Sequence, residues 1–438
     1  MASNEVGKSS RIGRLIVVVA SGAALWFAAF ARAQDFEGQL YAPMNGPLEA
    51  LFSQGRTLSL GAMLLAIAVT LKSGKRLNRA AWRNASFYVA AVNLIILIKL
   101  MLYGNYSIFF QGSFAIFVQL SLFVLCTYVH EQDDIMRRSG VSYVAEALYV
   151  FSVLFILTNI YVYIYFEHSS TVLLSKRFFG ITANPQHLAM SIALCTPVLL
   201  YYIVRYGVFR IAGLSSALLL SIVLFIEYLT GSRLGFLSSM ICIAAASRYF
   251  LDWRRFLYLM SLGILVLPIA YVSFYASTSE LIWSRFIEGR TDTRSDTWAS
   301  GWDAFLQNPW FGGAPGGDPP RYGFIESTWI SAAYSGGFVA LGILLVFLFL
   351  VIGYLFKLNF LRGKRVVNSE YIDFYMMAIV VCVFMSFIEA AFLGVFATHT
   401  MMVYLYAAGA GSLASSSRRL LYGRHRYPIG AGRYYVGR

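Results

Sequence analysis

Charged residues are scarce in this chain, and long polar stretches are missing. Only 13% of the 438 residues are charged and 58% are hydrophobic, whereas soluble domains contain about 25% charged and about 45–50% apolar residues. No hydrophilic stretch exceeds about fifty residues, which is marginal for an independent core. These absences exclude a separate soluble domain and favour a single integral-membrane domain over residues 1–438.

Motifs for metal or redox chemistry are missing as well. The four cysteines lie inside apolar runs without a CxxC spacing, so they are expected to pack as small hydrophobic side chains. No HExxH spacing occurs among the five histidines. We therefore expect no metal site and no cofactor.

Apolar runs long enough to cross a bilayer are what the chain has instead. A transmembrane helix needs about 17 residues or more, and twelve such spans are predicted. They cover residues 12–33, 57–72, 85–103, 107–129, 141–166, 187–204, 211–229, 234–249, 256–275, 327–356, 371–393 and 396–413. The prediction is an all-α polytopic membrane protein.

The distribution of basic residues predicts the orientation. With the N-terminus in the cytoplasm, 25 of the 35 lysines and arginines fall on the cytoplasmic side and nine outside, with Lys99 inside a span. This is the positive-inside pattern of an inner-membrane protein. It explains most of the net charge of +14 without a nucleic-acid partner. It also makes 276–326 a large periplasmic loop and 414–438 a basic cytoplasmic tail.

The first span has an alternative interpretation. Ala31-Arg32-Ala33 resembles a signal-peptidase site after a basic start and an apolar centre. The apolar stretch is long for a signal peptide, so we expect the helix to be retained.

Arginines on the outer side are exceptions to the positive-inside pattern, so a function for them is considered. Guanidinium groups bind phosphate through two parallel hydrogen bonds, so a membrane-anchored phosphate ligand is predicted there. The alternative is contact with lipid headgroups or with acidic neighbours such as Asp296 and Asp303. The candidate substrate-binding cations are Arg177, Arg233, Arg290, Arg294 and Arg321.

Four stretches together resemble a known family. In chain order they are residues 180–189 (GITANPQHLA), 230–235 (TGSRLG), 294–298 with 308–313 (RSDTW and NPWFGG), and 326–329 with 334–337 (ESTW and YSGG). The ordered set, with a long outer loop between the last two spans it touches, resembles the O-antigen ligase and polymerase superfamily, often called the WaaL/Wzy group. The resemblance covers residues 180–345.

The resemblance implies a metal-independent GT-C-type glycosyltransferase. Such enzymes take a glycan from an undecaprenyl-diphosphate carrier and join it to an acceptor hydroxyl at the periplasmic face. The chemistry requires cations for the departing diphosphate and a base for the acceptor proton. Expected partners are the lipid-linked oligosaccharide and a growing polysaccharide, with a chain-length regulator for a polymerase.

One position departs from the ligase pattern. Ligases of this group carry a histidine where the outer loop re-enters the membrane, but that position reads Glu326-Ser327, and 276–326 contains no histidine. Glu326 is therefore the candidate base, with Arg233 as the second catalytic candidate. This favours an exopolysaccharide or O-antigen polymerase over a ligase acting on lipid A-core. The structural alternatives for Glu326 are an ion pair with Arg321 and an acid at a helix N-terminus, which the helix dipole favours.

A transporter or flippase of the same glycan is the alternative from another class. It would need a polar path through the spans, and the spans are nearly free of charge.

The candidate substrate contacts also include Asn184, His187 and Trp298. His187 is interpreted more readily as a structural residue.

Charged side chains inside predicted spans include Lys99, Glu146, Glu227 and Glu389. Lys99 and Glu146 are expected to pair with each other or to extend towards the membrane surface. Glu227 and Glu389 lie near the outer ends of their spans, where an ionisable group is costly and often functional. Glu227 is expected to hold Arg233 in place.

An amphipathic helix is predicted inside the outer loop. Trp298, Trp302 and Phe305 recur at spacings of four and three, which gives one apolar stripe over 294–307. Asn308-Pro309 and the glycines that follow would end that helix.

Overall fold

The computed structural model describes residues 2–30, 46–72, 84–102, 106–132, 143–167, 170–171, 177–247, 293–313, 325–364, 369–394 and 397–423. Within these residues the chain is helical, and the β contact is an isolated antiparallel bridge between Thr171 and Phe178. The helices are α1 (Ala2–Ala29), α2 (Pro47–Lys72), α3 (Ser86–Leu102), α4 (Tyr106–Gln132), α5 (Tyr143–Phe166), α6 (Pro185–Ala193), α7 (Thr196–Tyr206), α8 (Ile211–Thr230), α9 (Arg233–Ser247), α10 (Thr293–Gln307), α11 (Thr328–Gly363), α12 (Ser369–Ile388) and α13 (Thr398–Gly423).

The predicted spans fall on these helices, several of which are longer than the spans. Eleven of the twelve overlap a helix, and the remaining one, 256–275, lies outside the described residues. In the part that the structure describes, seven helical segments are long and apolar enough to cross a membrane, and shorter apolar helices lie in α3, α4 and α9. The prediction of an all-α polytopic membrane protein is confirmed.

The sixth predicted span is broken into α6 and α7. Pro197 occupies the first turn of α7, where it cannot donate the backbone hydrogen bond that would continue α6. The hydroxyl of Tyr406 donates to the Leu194 carbonyl at the break, at 2.6 Å. The break is thereby stabilised inside the protein, as helix interruptions at membrane depth require.

Burial separates central helices from peripheral ones. In the α6–α7 segment 89% of the most apolar 18-residue stretch is buried, against 28% for α2 and for α11. Large apolar side chains on α11, such as Phe349 and Phe356, point outward, which is favourable when the surroundings are lipid. The α6–α7 segment is therefore the centre of the bundle, packed by α8, α9, α12 and α13.

The loop helix is confirmed as α10. It spans Thr293–Gln307 and packs against α11, and the chain turns at Asn308, whose carbonyl accepts from Gly312 N at 2.8 Å. The rest of the predicted loop 276–326 lies outside the described residues, apart from 308–313 and 325–326. Of the predicted tail 414–438, residues up to Gly423 continue α13, and the remainder is likewise undescribed.

The expected pairing of Lys99 with Glu146 is wrong. Glu146 lies at the start of α5 and forms an ion pair with Arg14 at 2.8 Å. Lys99 lies in the last turn of α3 and donates to the backbone carbonyls of Phe311, Gly313 and Ser335. The two residues are held by different parts of the bundle, which sequence spacing alone does not reveal.

Candidate functional site

Four chain segments that are distant in sequence meet at one end of the bundle. They are the start of α6, the start of α10, the residues before α11 and the residues after α12. They bring together Gln186, Arg294, Glu326 and Glu389, which we call the carboxylate–arginine cluster. We call this end of the bundle the site end.

Arg294 is the centre of the cluster. Its Nε donates to Oε2 of Glu326, and its Nη2 donates to Oε1 of Glu389 at 2.8 Å. Two different guanidinium nitrogens therefore hold two carboxylates that are 63 positions apart in the chain. The fixed fork of the guanidinium suits this bridging role, which a single ammonium does not reproduce.

Glu326 receives a second donor on its other oxygen. The Gln186 amide donates to Oε1 at 2.8 Å, so both carboxylate oxygens are engaged. The expected structural alternative of an ion pair is thus present, with Arg294 as the partner, while Arg321 lies outside the described residues. The two donors differ in kind, since Arg294 is charged and Gln186 is neutral.

The ESTW motif explains how the two carboxylates come together. Thr328 donates to the Glu389 carbonyl through its backbone N (3.2 Å) and its hydroxyl (2.9 Å). The indole N–H of Trp329 donates to Ser386 Oγ at 3.3 Å. The first turn of α11 is thereby fixed to the end of α12, and Glu326 is placed beside Glu389.

Glu389 is the most deeply buried carboxylate of the cluster. Its side chain is 3% exposed, against 24% for Glu326 and 36% for Arg294. Burial, reinforced by the nearby charge of Glu326, raises the pKa of Glu389 to about 8, against the lowering effect of Arg294 and Arg177. Proton binding to Glu389 near neutral pH would therefore change the charge presented by the cluster.

Asn184 and His187 begin α6, as the motif at 180–189 suggested. Asn184 caps the helix, because its Oδ1 accepts from His187 N at 2.8 Å and Pro185 follows at the first helical position. The His187 ring lies 5.1 Å from the ring of His399, which is buried and has an Nδ1 with no hydrogen-bond partner in the described structure. These contacts give Asn184 a structural role and place His187 one residue from Gln186.

Arg177 and Arg233 lie on either side of the turn between α8 and α9. Arg177 Nε donates to the Thr230 carbonyl at 2.6 Å, and its charge acts on Glu389. Arg233 is the first residue of α9 and is exposed. Two residues further on, Gly235 packs so closely on Ala189 of α6 that an added Cβ would lie 2.9 Å from the Ala189 Cβ. The turn is therefore held against the helix that carries Gln186.

The expectation that Glu227 holds Arg233 is wrong. Glu227 is fully buried, and its Oε1 accepts from Ser239 Oγ at 2.6 Å. Its Oε2 is buried with no hydrogen-bond partner in the described structure. The carboxylate points into the bundle towards α9, whereas Arg233 is exposed at the helix start.

Of the remaining candidate substrate-binding residues, the structure describes Trp298. Trp298 lies one turn after Arg294 on α10, and its indole Nε1 is buried without a hydrogen-bond partner in the described structure. Residues four apart share a helix face, so Trp298 borders the cluster. Arg290 and Arg321 lie outside the described residues.

Sequence reasoning gave no role at this site end to three residues. Gln186 lies inside a recognised motif, and His399 and Glu389 lie after the region of the resemblance. Glu389 stood out in the sequence as an ionisable residue near the outer end of a span, which is costly and often functional. Its partner Arg294 could not be assigned from the sequence.

The arrangement offers acid–base and electrostatic chemistry. It combines cations with carboxylates in different degrees of burial, and α6 links it to a helix start at Arg233 whose N–H groups favour anions. Among the described residues, no group of three or more histidine, cysteine, aspartate or glutamate side chains is placed to hold a metal ion.

Comparison with known proteins identifies a family that matches part of the chain. This family, described as O-antigen ligase, matches residues 215–345, a stretch that begins within α8, ends within α11 and contains Arg233, Arg294 and Glu326. Comparison with curated proteins gives no match. The resemblance of this multi-pass membrane chain to the O-antigen ligase and polymerase superfamily is therefore confirmed over residues 215–345.

Proposed function

We propose that the protein polymerises oligosaccharide repeat units carried on undecaprenyl diphosphate, at the periplasmic face of the bacterial inner membrane. The observation that carries the proposal is the bridge from Arg294 to Glu326 and Glu389. Helix α6 connects this bridge to the turn that bears Arg233, because Gln186 donates to Glu326 and Ala189 packs against Gly235. A cation beside a carboxylate supports glycosyl transfer in a chain that resembles the O-antigen ligase family over residues 215–345. The product is an exopolysaccharide or an O-antigen.

The diphosphate of the donor would bind among the arginines. A diphosphate at a membrane surface requires cationic partners, and Arg233 presents a guanidinium at a helix start that already favours anions. Arg177 lies across the same turn and contributes charge while it holds the Thr230 carbonyl. Arg294 adds a third guanidinium from the loop helix. These groups would stabilise the negative charge that develops as the diphosphate leaves.

Glu326 would take the proton of the acceptor hydroxyl. Gln186 donates a neutral hydrogen bond to Oε1 of Glu326, and an acceptor hydroxyl could replace it with a bond of the same kind. The hydroxyl oxygen then attacks the anomeric carbon, and the bond from that carbon to the diphosphate oxygen breaks. The diphosphate leaves with the electron pair, and the proton passes to Glu326.

The polymerase is favoured over the ligase by the residue at position 326. Ligase relatives are expected to carry a histidine there, and residues 276–326 contain none. The ligase remains the second candidate, because the family that matches residues 215–345 is described as O-antigen ligase. In that case the acceptor would be lipid A-core.

A deletion strain separates the two candidates. For a polymerase, gel analysis of surface glycan should show loss of long polymer while single repeat units remain on the carrier or the core. Loss of all glycan from an intact core would instead identify a ligase. Unchanged surface and secreted polysaccharide, with no accumulation of lipid-linked repeat units, would refute both.

A further inference from the structure

We propose that Lys99 is a positioning residue that locks the end of α10 into a break in α11, and thereby sets the place of Arg294. The importance of Arg294 rests on the proposed function, whereas the lock itself is a feature of the fold. The lock is formed by the two glycine-containing motifs, 308–313 and 334–337, whose role the proposed chemistry does not explain.

The break in α11 occurs at Gly337. This residue has φ 62° and ψ −154° inside an otherwise helical segment, a combination that is essentially restricted to glycine. A Cβ at this position would lie 2.5 Å from the Pro309 carbonyl oxygen. Gly312 has φ 74°, and a Cβ there would lie 2.4 Å from the Tyr334 carbonyl oxygen. The two motifs therefore approach each other so closely that both positions require glycine.

At the break, the two segments exchange backbone hydrogen bonds. In an uninterrupted helix the N–H groups of Phe338 and Val339 would donate to the carbonyls of Tyr334 and Ser335. Instead, Phe338 N donates to Pro309 O at 2.8 Å and Val339 N to Trp310 O at 3.5 Å. The end of the loop helix is thus joined to α11 by main-chain contacts.

The carbonyls freed by this exchange are satisfied from outside α11. The Tyr334 carbonyl accepts from Gly313 N at 2.8 Å. The Ser335 carbonyl accepts from Lys99 Nζ at 2.6 Å. Both are held by groups from other segments, so the break depends on those partners.

Lys99 joins the two segments at once. Its Nζ donates to Phe311 O at 2.6 Å, Gly313 O at 3.0 Å and Ser335 O at 2.6 Å. An ammonium has three N–H donors, so its full capacity is used on three carbonyls from the loop and from α11. It also sits where the first part of α11 ends, and a positive charge is favourable at a helix C-terminus.

The position of Arg294 follows from the lock, because α10 is a rigid rod between them. Its 15 residues span about 22 Å. A tilt of about 5° at its locked end would move its first turn by about 2 Å. Arg294 lies in that first turn, and its hydrogen bond of 2.8 Å to Glu389 would not survive such a shift.

Crosslinking tests the lock without relying on activity. Trp310→Cys and Phe338→Cys, in a background without the four native cysteines, introduce thiols at two exposed positions whose native rings are in contact, with centroids 5.8 Å apart. A short bifunctional thiol reagent should join them rapidly when Lys99 is present. Lys99→Met keeps the length of the side chain but removes three donors, so crosslinking should slow about tenfold.

Activity and conservative variants complete the test. Lys99→Met in the otherwise native chain should lower kcat/KM for the lipid-linked donor on the order of 10²-fold, because a displacement of about 1 Å or more at a group that binds the donor has a cost of this size. Lys99→Arg should restore part of both the crosslinking and the activity, because it keeps the charge and several donors. Ile98→Met, at the neighbouring exposed position on α3, is the control and should change neither.

The possible outcomes are distinct. Unchanged crosslinking in Lys99→Met would overturn the lock, and slowed crosslinking with normal activity would overturn the positioning role. Slowed crosslinking and lost activity, both partly restored by Lys99→Arg, would support it. If crosslinking slows while Arg294→Lys is fully active, the lock stands and the proposed role of Arg294 fails.

Discussion

Replacing Arg294 with lysine is the most informative perturbation of the cluster. The substitution keeps the positive charge, but one ammonium takes the place of two guanidinium nitrogens that reach two carboxylates. Lysine would keep one of these contacts and lose the other. It would also lose the two-point geometry with which arginine binds phosphate. We therefore expect normal expression and insertion with a large loss of transfer.

The size of the loss follows from the contacts. A hydrogen bond to a charged group contributes about 1.5–3 kcal/mol, and the lower value applies because the Arg294 side chain is 36% exposed. The lost partner can be Glu389, whose side chain is 3% exposed. Leaving this buried carboxylate without its hydrogen bond costs about 1–3 kcal/mol more, the desolvation penalty of an unpaired buried group. These contacts act on the rate by holding Arg294 where it stabilises the departing diphosphate. A loss of about 3 kcal/mol in that transition state corresponds to a decrease on the order of 10²-fold in kcat/KM.

The assay is polymer formation from purified lipid-linked repeat units by the protein in vesicles, followed on gels. Arg14→Lys is the matched control, because Arg14 also pairs with a partly exposed glutamate, Glu146, at 2.8 Å and lies outside the cluster. Its kcat/KM should stay within about twofold of the wild type. A wild-type kcat/KM for Arg294→Lys would refute the reasoning, since neither the bridge nor the diphosphate contact could then matter.

Three further predictions concern the same chemistry and its setting. Glu326→Gln should lower kcat by roughly 10²–10⁴-fold with little change in folding, and normal polymer would leave Glu326 as an ion-pair residue only. Arg233→Lys should lower the rate by on the order of 10²–10³-fold, measured by polymer length in a deletion strain, and full complementation would remove the diphosphate assignment. Because the pKa of Glu389 is about 8, lowering the pH from about 9 to about 7 removes a negative charge beside Arg294. The donor KM should then fall roughly fivefold, and Glu389→Gln should abolish this pH dependence; an identical profile in that variant would contradict it.

Topology is open to a direct test in whole cells. Cysteines introduced at Ser300 and Ser417 report on the loop 276–326 and on the C-terminal segment. The charge distribution predicts that an impermeant thiol reagent labels Ser300→Cys and not Ser417→Cys. The reverse pattern would overturn the orientation and with it the periplasmic placement of the site.

Local features of the chain were predictable because they depend on neighbouring residues. The length and apolarity of a run decide whether it spans a bilayer, so eleven predicted spans fall on helices, although several of these helices extend beyond the predicted bounds. The spacing of Trp298, Trp302 and Phe305 predicted α10 for the same reason. The break between α6 and α7 carried a local signal too, because Pro197 precludes one helical hydrogen bond.

Partnerships between charged groups were not predictable, and the failures have one cause. Glu146 was assigned to Lys99 and pairs with Arg14, and Glu227 was assigned to Arg233 and bonds to Ser239. In each case the assignment used the rarity of charge in spans without knowing which helix faces meet. A charged residue in a membrane span is rare because its burial is costly, and this marks the residue in the sequence. Which group it pairs with depends on how the helices pack.

By itself, the sequence determined an all-α membrane bundle, its charge asymmetry and the family resemblance carried by residues 180–345. Only the tertiary structure decided that Arg294 bridges Glu326 and Glu389, and that Lys99 holds three carbonyls of two distant segments. The physical reason is the distance along the chain over which each kind of interaction acts. Hydropathy and helical periodicity act over a few neighbouring residues, whereas a hydrogen bond between residues 95 or 236 positions apart exists only once the intervening helices have packed.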